Sequence, residues 1–579
     1  MPPRRSTRAG SAKPAEKPAT KQKTKTVKPP TKPTKAATKT AAKPAKAAEK
    51  VAPKTTTTRG RSANAKRPAS PENAPPPPAK RSRAAPKIVE NGVNGVDHDE
   101  DVQPAPRVKK APATRRPAQR KPTPAHTQDQ PYPNPLPTPS EHLRPAPLLF
   151  VWGTGNFGQF GMGADFLGEY DKPTRNKWVE KNIEGGVFGE PGAGLEAVAA
   201  GGLHSLFLDE KGTVWSCGVN DDAALGRITI EVPNPEKEGE FLDADELTAV
   251  PHPLQSLVDE NFRAVRITAG DTISAAISSE GDLRVWGSFR GNEGVLGFSS
   301  GLRHQFLPAP ILDLKSRPGN VEKFSSVVAG NNHLIVLTTH GSVYTLGAGE
   351  QGQLGRRVLE RRKIHGTAPE KIVLGSRSNK AVVVGAGSYS SYAVDELGTV
   401  WAWGLNSMGQ TGTGFTSATA DGEVQLPKKV IGLSKEELGG QATVVQVVGG
   451  EHHTLFLTSD GRVYACGRSE GGQLGLADDD EAFKDREFPD MLTEPTRITF
   501  PDATDPVVHI SVGVHNNLAV TQGGALYAWG EGPSGELGVT GEEQARTPTV
   551  VVRKEGGAWA AVTASCGGQH SLALFRKKT

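Results

Sequence analysis

Seven times along this chain a short apolar run ends in glycine, at Trp152-Gly153, Cys217-Gly218, Trp286-Gly287, Leu346-Gly347, Trp403-Gly404, Cys466-Gly467 and Trp529-Gly530. Successive glycines are 65, 69, 60, 57, 63 and 63 residues apart. A repeat at this period restricts the chain to an array or a ring, because each unit must bury its apolar face against its neighbours.

Three copies display the unit in full. One runs Val328-Ala329-Gly330-Asn331-Asn332-His333, then an apolar stretch, a turn at His340-Gly341, Val343-Tyr344-Thr345-Leu346-Gly347 and Gln351-Gly352-Gln353-Leu354-Gly355. The copies from Val448 and Val512 repeat the order, with turns at Asp460-Gly461 and Gly523-Gly524. Paired β-branched or aromatic runs across such turns predict tight hairpins. Convincing amphipathic helices are missing from the repeats, so the expected fold is all-β, a seven-bladed β-propeller. The chain ends with half a unit, Val562 to Phe575, and the complementary half stands at Leu148 to Gly161. One blade built from N- and C-terminal strands would close the ring.

Residues 1–145 are a different material. They carry 32 Lys and Arg against 10 Asp and Glu, a net of +22, whereas the remaining residues are −16 and the whole chain +6. Such a Lys/Pro/Ala-rich stretch buries too little apolar surface to offset its ordering entropy, so a disordered tail is expected before a propeller at 146–579. Its lysines suit a polyanion such as DNA, with a solubilising tail as the plainer reading. Lys66-Arg67 and Lys80-Arg81-Ser82-Arg83 are twelve residues apart, the spacing of a bipartite nuclear import signal, and Ser70-Pro71 between them suits a proline-directed kinase. No apolar run approaches a membrane span. Cys217, Cys466 and Cys566 all fall inside repeats, and the first two replace Trp or Leu, which reads as core filling in a reducing compartment.

Several apparent motifs dissolve in the repeat. Gly153–Gly158, Gly347–Gly352 and Gly530–Gly535 each satisfy G-x-G-x-x-G, but the dinucleotide fingerprint needs a helix to follow, and here the glycines recur at one phase of a β repeat. His204, His333, His453 and His570 share the last position of G-x-x-H, filled by Ile273, Ser390 and Asn516 in other units. That recurrence favours hydrogen-bonded structural side chains. Their spacing does not suit a metal site, and no cofactor motif is present.

V-x-A-G-x-x-H, a hairpin, V-[YW]-x-[WC]-G and G-Q-L-G together resemble the repeat of the regulator of chromosome condensation family, over about residues 146–579. The founding member of that family is the nuclear guanine-nucleotide exchange factor for the small GTPase Ran. Trp286-Gly287-Ser288-Phe289-Arg290-Gly291-Asn292-Glu293-Gly294-Val295-Leu296-Gly297 resembles the projecting β-wedge of Ran exchange factors. The resemblance implies Phe289, Arg290, Asn292, Glu293, Val295 and Leu296 as wedge residues, within Ser288–Ser300. It implies Asp271 as an acidic exchange residue, Arg356 at the GTPase interface, and His204, His570 and either His452 or His453 on the docking face. The family's second key aspartate falls at Asn332 here, which keeps hydrogen bonding without charge. Met1-Pro2-Pro3-Arg4 is similar to the family's N-terminal methylation signal. The expected function is Ran nucleotide exchange on chromatin, without bond chemistry, with Ran, DNA and histones, and a nuclear import receptor as partners and the nucleus as location. The arginines at 356, 357, 361 and 362 would meet either an acidic histone surface or solvent. A chromatin-binding scaffold without exchange activity, or an exchange factor for another small GTPase, remains open at this point.

Overall fold

The computed structural model describes residues 132–315, 319–416 and 422–578. The basic segment before residue 132 lies outside them, and with it Lys66, Arg67, Lys80, Arg81, Arg83, Ser70 and the N-terminal tripeptide. Among the described residues the chain is all-β, in seven antiparallel units of four strands, two of them joined into one eight-stranded sheet by a parallel pair, Ala386 with Val448, besides a two-stranded hairpin. In chain order the units span 195–253, 264–309, 324–371, 381–429, 444–497 and 507–552. The seventh combines 559–577 with 148–175. In that last unit Leu148–Thr154 pairs with His570–Lys577, setting Leu149 opposite Leu574 and Gly153 opposite His570. The innermost strands touch in cyclic order from unit one to unit seven and back to unit one. Both ends of the repeat region therefore build one blade of a closed ring.

The recurring glycines now have a physical cause. At all seven positions the backbone takes positive φ, from +90° at Gly153 to +125° at Gly347, a region that disfavours any residue with a Cβ. A Cβ there would also press into the carbonyl of the residue just before the second strand, such as Tyr389 O at Gly404. The second strands of units one to six are buried along their whole length, because blades pack on both of their faces. Trp152, Trp286, Trp403 and Trp529 fill the gaps between blades at 0 % exposure.

Helices are confined to connections. Lys177–Glu184, capped by the Asn176 side chain on Val179 N at 2.9 Å, links the outer strand of unit seven to unit one. The acidic insert Glu231–Leu247 is partly packed. Leu247 is buried, and its carbonyl accepts a 2.7 Å bond from Arg227.

The expected boundary at residue 145 is corrected. Residues 132–145 form a strap laid on the ring. Asn134 is 5 % exposed and its amide donates to Thr338 O at 3.0 Å and Ala381 O at 2.9 Å, tying units three and four. At the other end Arg144 grips both oxygens of Glu210 at 2.8 and 2.7 Å, and His142 lies 2.6 Å from Glu196. Prolines leave few backbone donors here, so a few side chains do the anchoring.

The glycine argument gives a paired prediction. Gly404→Ala adds steric overlap, about 1–3 kcal/mol, to the cost of positive φ, whereas Gly432→Ala, at φ +74° with nothing within 4 Å, carries the φ cost alone. Urea unfolding should show a clearly larger loss for Gly404→Ala; equal losses would refute the close-approach explanation.

Candidate functional site

Each inner strand ends in a G-x turn that leads into the second strand, and these turns crowd around one mouth of a central channel of about 370 Å³. A belt of backbone hydrogen bonds joins them. Gly202 N donates to Gly270 O at 3.0 Å, Asp271 N to Asn331 O at 2.8 Å, and Asn331 N to Ser388 O at 3.1 Å. Ser388 N donates to Gly450 O at 3.0 Å, Glu451 N to Val514 O at 3.1 Å, and Gly568 N to Gly201 O at 2.9 Å. Third strands end beside the starts of second strands, as Gly287 pairs with Ile273, so the loops that follow them share this face.

Two of those loops frame Asp271. The wedge sequence forms a small hairpin, Arg290–Gly291 paired with Gly294–Val295, with Arg290, Asn292 and Glu293 exposed. Asn332 sits between the two: its Oδ1 accepts from Arg290 N at 3.0 Å, and its side chain helps hold down the Asp271 carboxyl. The Arg290 guanidinium pairs with buried Asp222 of unit one. Burial pushes the Asp271 carboxyl up and the Asp222 charge adds to this, while Arg290 and Asn332 pull it down. His452 is half-buried on the same face near Glu451, with His515 across from it at 3.8 Å from Glu451.

Other expected contact residues lie elsewhere. His204, His453 and His570 are 1 % exposed, each in an inter-blade tie, in line with the structural reading of the recurring G-x-x-H, and of His452 and His453 it is His452 that is accessible on the mouth face. His204 bonds Ser274 at 2.8 Å, His453 bonds Asn517 at 2.8 Å, His570 bonds Ser205 at 2.9 Å, and His333 follows suit with Ser391 at 2.9 Å. Arg356 is also turned inward: it donates to Gly366 O and Ala368 O, both at 2.9 Å, and pairs with Glu370 at 3.3 Å, pinning the turn Glu360–Thr367. Phe289 is fully buried against Phe298, with Leu296 packed beside them, so the hairpin's base is an anchor and only its tip projects. Asp222, Glu350, Lys363 and His515 escaped the sequence reading. Asp222 had one signal, the departure of Asn220–Gly226 from G-Q-L-G, where Ala223 takes φ +66° in place of a glycine.

An RCC1-like domain model matches residues 148–573. The chain belongs to the RCC1-like family. It is 34% identical over 439 residues to Protein pim1 of Schizosaccharomyces pombe, covering 75% of each chain. It is 29% identical over 457 residues to the guanine nucleotide exchange factor SRM1 of Saccharomyces cerevisiae, covering 74% of this chain and 88% of that one. Two solved structures of yeast Prp20 share the fold. One, described with its binding properties to Gsp1p and histones, has a TM-score of 0.63 at 28% identity, over 76% of this chain and 94% of that one. The other, yeast RCC1 (Prp20) bound by Kap60, has a TM-score of 0.65 at 27% identity, over 80% and 97%. The RCC1-like match ends before the final strand does and begins at Leu148, inside the blade that both ends of this ring share.

The tie histidines set an acid limit. Burial lowers His204, His333 and His453 to about 4 and His570 to about 3. Unfolded chains take up these protons from about pH 6.5 downward, so stability present above that value should drain away as pH falls towards 4. His333→Asn, the residue unit six uses at Asn516, should lose less stability between pH 7 and pH 5; an identical loss would refute the assignment.

Proposed function

We propose that this chain is a guanine-nucleotide exchange factor for the small GTPase Ran, working from the mouth face of the ring on chromatin in the nucleus. The single observation that carries this reading is the exposed hairpin tip, tied to Asn332 beside Asp271, on one face of an RCC1-like ring. The exchange-factor name of a yeast relative, and the Gsp1p and histone binding of yeast Prp20, support it. The Kap60 complex of yeast RCC1 supports an import receptor as partner for the basic segment.

Exchange requires no bond to be made or broken. A protein that binds the nucleotide-free GTPase more tightly than the loaded form must, by linkage, weaken nucleotide binding. Asp271, with Asn332 and His452, orients the GTPase on the mouth face. The tip at Asn292 and Glu293 then presses on the elements that hold phosphate and magnesium. A rigid ring suits this work, because a wedge displaces its target only when its own base does not yield.

Release of fluorescent GDP from purified Ran should accelerate at catalytic concentrations of this protein. Asp271→Ala should slow release by tenfold or so, on the order of 1.4 kcal/mol, without shifting the unfolding midpoint. No acceleration by the wild-type chain would leave a scaffold role; an unchanged Asp271→Ala rate would remove that residue from the site.

The segment before the strap holds the exchanger near DNA through counterion release. Deleting residues 1–131, which spares Asn134, His142 and Arg144, should weaken DNA binding and flatten its salt dependence while release from free Ran stays intact. A salt slope equal to that of the full chain would refute the assignment.

A further inference from the structure

The hairpin that carries the proposed exchange activity is too short to hold itself. It has two residue pairs, Arg290 with Val295 and Gly291 with Gly294, and an isolated hairpin of this size is marginal in water. Its base is fixed from below: Phe289 O accepts from Leu296 N at 2.8 Å and Gly297 N at 3.1 Å. The tip is held from both sides by neighbouring units. On one side Arg290 pairs with Asp222, whose side chain is 8 % exposed, and His304 lies 3.7 Å from the other carboxylate oxygen. On the other side the Glu350 carboxylate, 7 % exposed, accepts Asn292 N–H at 2.8 Å and the Lys363 ammonium at 3.0 Å. Lys363 also reaches Glu293 at 3.4 Å and Glu360 at 3.0 Å. A Cβ on Gly291 would lie 2.9 Å from Glu350 Oε2, so the hairpin backbone passes directly against the carboxylate.

This grip is not a property of the repeat. Glu470 occupies the phase of Glu350 in unit five, yet its side chain is 59 % exposed and pairs with Arg468 two residues back. Unit three instead sets a half-buried cation among three carboxylates, one of them accepting a hairpin amide.

We propose that Glu350 and Lys363 of unit three, with Asp222 of unit one, are positioning residues that set the angle of the Arg290–Val295 hairpin and thereby the rate of exchange. The proposal rests on the Ran-exchange reading above. None of the three need touch the GTPase, since they act through the hairpin backbone and Arg290.

Two measurements on the full chain test it. Hydrogen exchange over residues 288–300 should quicken about tenfold in Glu350→Ala, while the buried strand 333–338 keeps its protection. Glu350→Gln, which retains an acceptor for Asn292 N–H, should recover most of that protection. In steady-state release of fluorescent GDP from Ran, Glu350→Ala and Lys363→Met should lower kcat about tenfold with KM little changed, since misplacing a working group by about 1 Å costs up to 10²-fold. Unchanged hairpin protection in Glu350→Ala would overturn the proposal. So would a loosened hairpin with intact kcat, or a rise in KM alone, which would make Glu350 a docking contact. If the wild-type chain does not accelerate release at all, the exchange reading fails, and the hydrogen-exchange arm still decides whether these residues hold the hairpin.

Discussion

At six of its seven blade junctions the ring depends on one buried carbonyl. At the seven-to-one junction Gln159 O accepts from Ser205 at 2.6 Å, Cys217 sits 3.7 Å from it, and His570 locks the serine. Gln353 O accepts from Ser391 at 2.7 Å and Trp403 at 2.9 Å, and Gln473 O accepts from Asn517 at 3.0 Å and Trp529 at 3.1 Å. Glu536 O receives Trp152 and Ser571, and Ala224 O receives Trp286 and Ser274. The carbonyl belongs to the G-Q-L-G turn of one unit and its donors to the next. A buried carbonyl left unmet costs about 1–3 kcal/mol, so each junction penalises the loss of any one partner. Trp, Cys, Ser, Thr and His recur together because they are parts of one bond set.

Departures from that set are compensated locally. Unit four has Ser390 in place of histidine, and Tyr392 two residues later sends its hydroxyl to Gln410 O at 3.0 Å and Thr454 at 2.6 Å. The two-to-three junction abandons the tie altogether. Ile273, Leu334 and Leu346 replace its histidine, serine and tryptophan, and they pack with Phe289 and Phe298 in one apolar cluster. In the same place the G-Q-L-G turn gives way to the wedge hairpin. An apolar plug asks for no acceptor from the turn, which frees the chain there to leave the ring. The structural exception and the functional candidate are thus one event in the sequence.

This also explains what the sequence made legible. Glycine spacing depends on backbone geometry common to every unit, so unit number, blade sharing and the turn nature of the G-x-G-x-x-G matches followed from it. The face on which a side chain lies depends on its partner in the next unit, some sixty residues away, and G-x-x-H does not encode whether a histidine looks outward or across. The recurrence of G-x-x-H favours structural histidines, as found at His204, His453 and His570, whereas the resemblance alone says nothing of the inward turn of Arg356, and Asp222 and Glu350 were missed for the same reason. The strap failed differently. Tyr132-Pro133-Asn134-Pro135 reads as tail by composition, but one buried asparagine amide bonded to two carbonyls is enough to bind it to the ring.

The residue at 332 shows how a departure from a family pattern is read through its neighbours. Asn332 acts as acceptor for Arg290 N and helps hold down the Asp271 carboxyl beside it. An aspartate in its place accepts from the same amide but faces the Asp271 carboxyl with a second carboxylate. With Asp222 already raising Asp271, and burial raising it further, a third negative group would favour protonating one of them. The amide removes that conflict. It leaves Asp271 and Asp222 as the carboxylates at this point of the mouth and gives its oxygen to the hairpin, so that the wedge is tied to the residue beside Asp271.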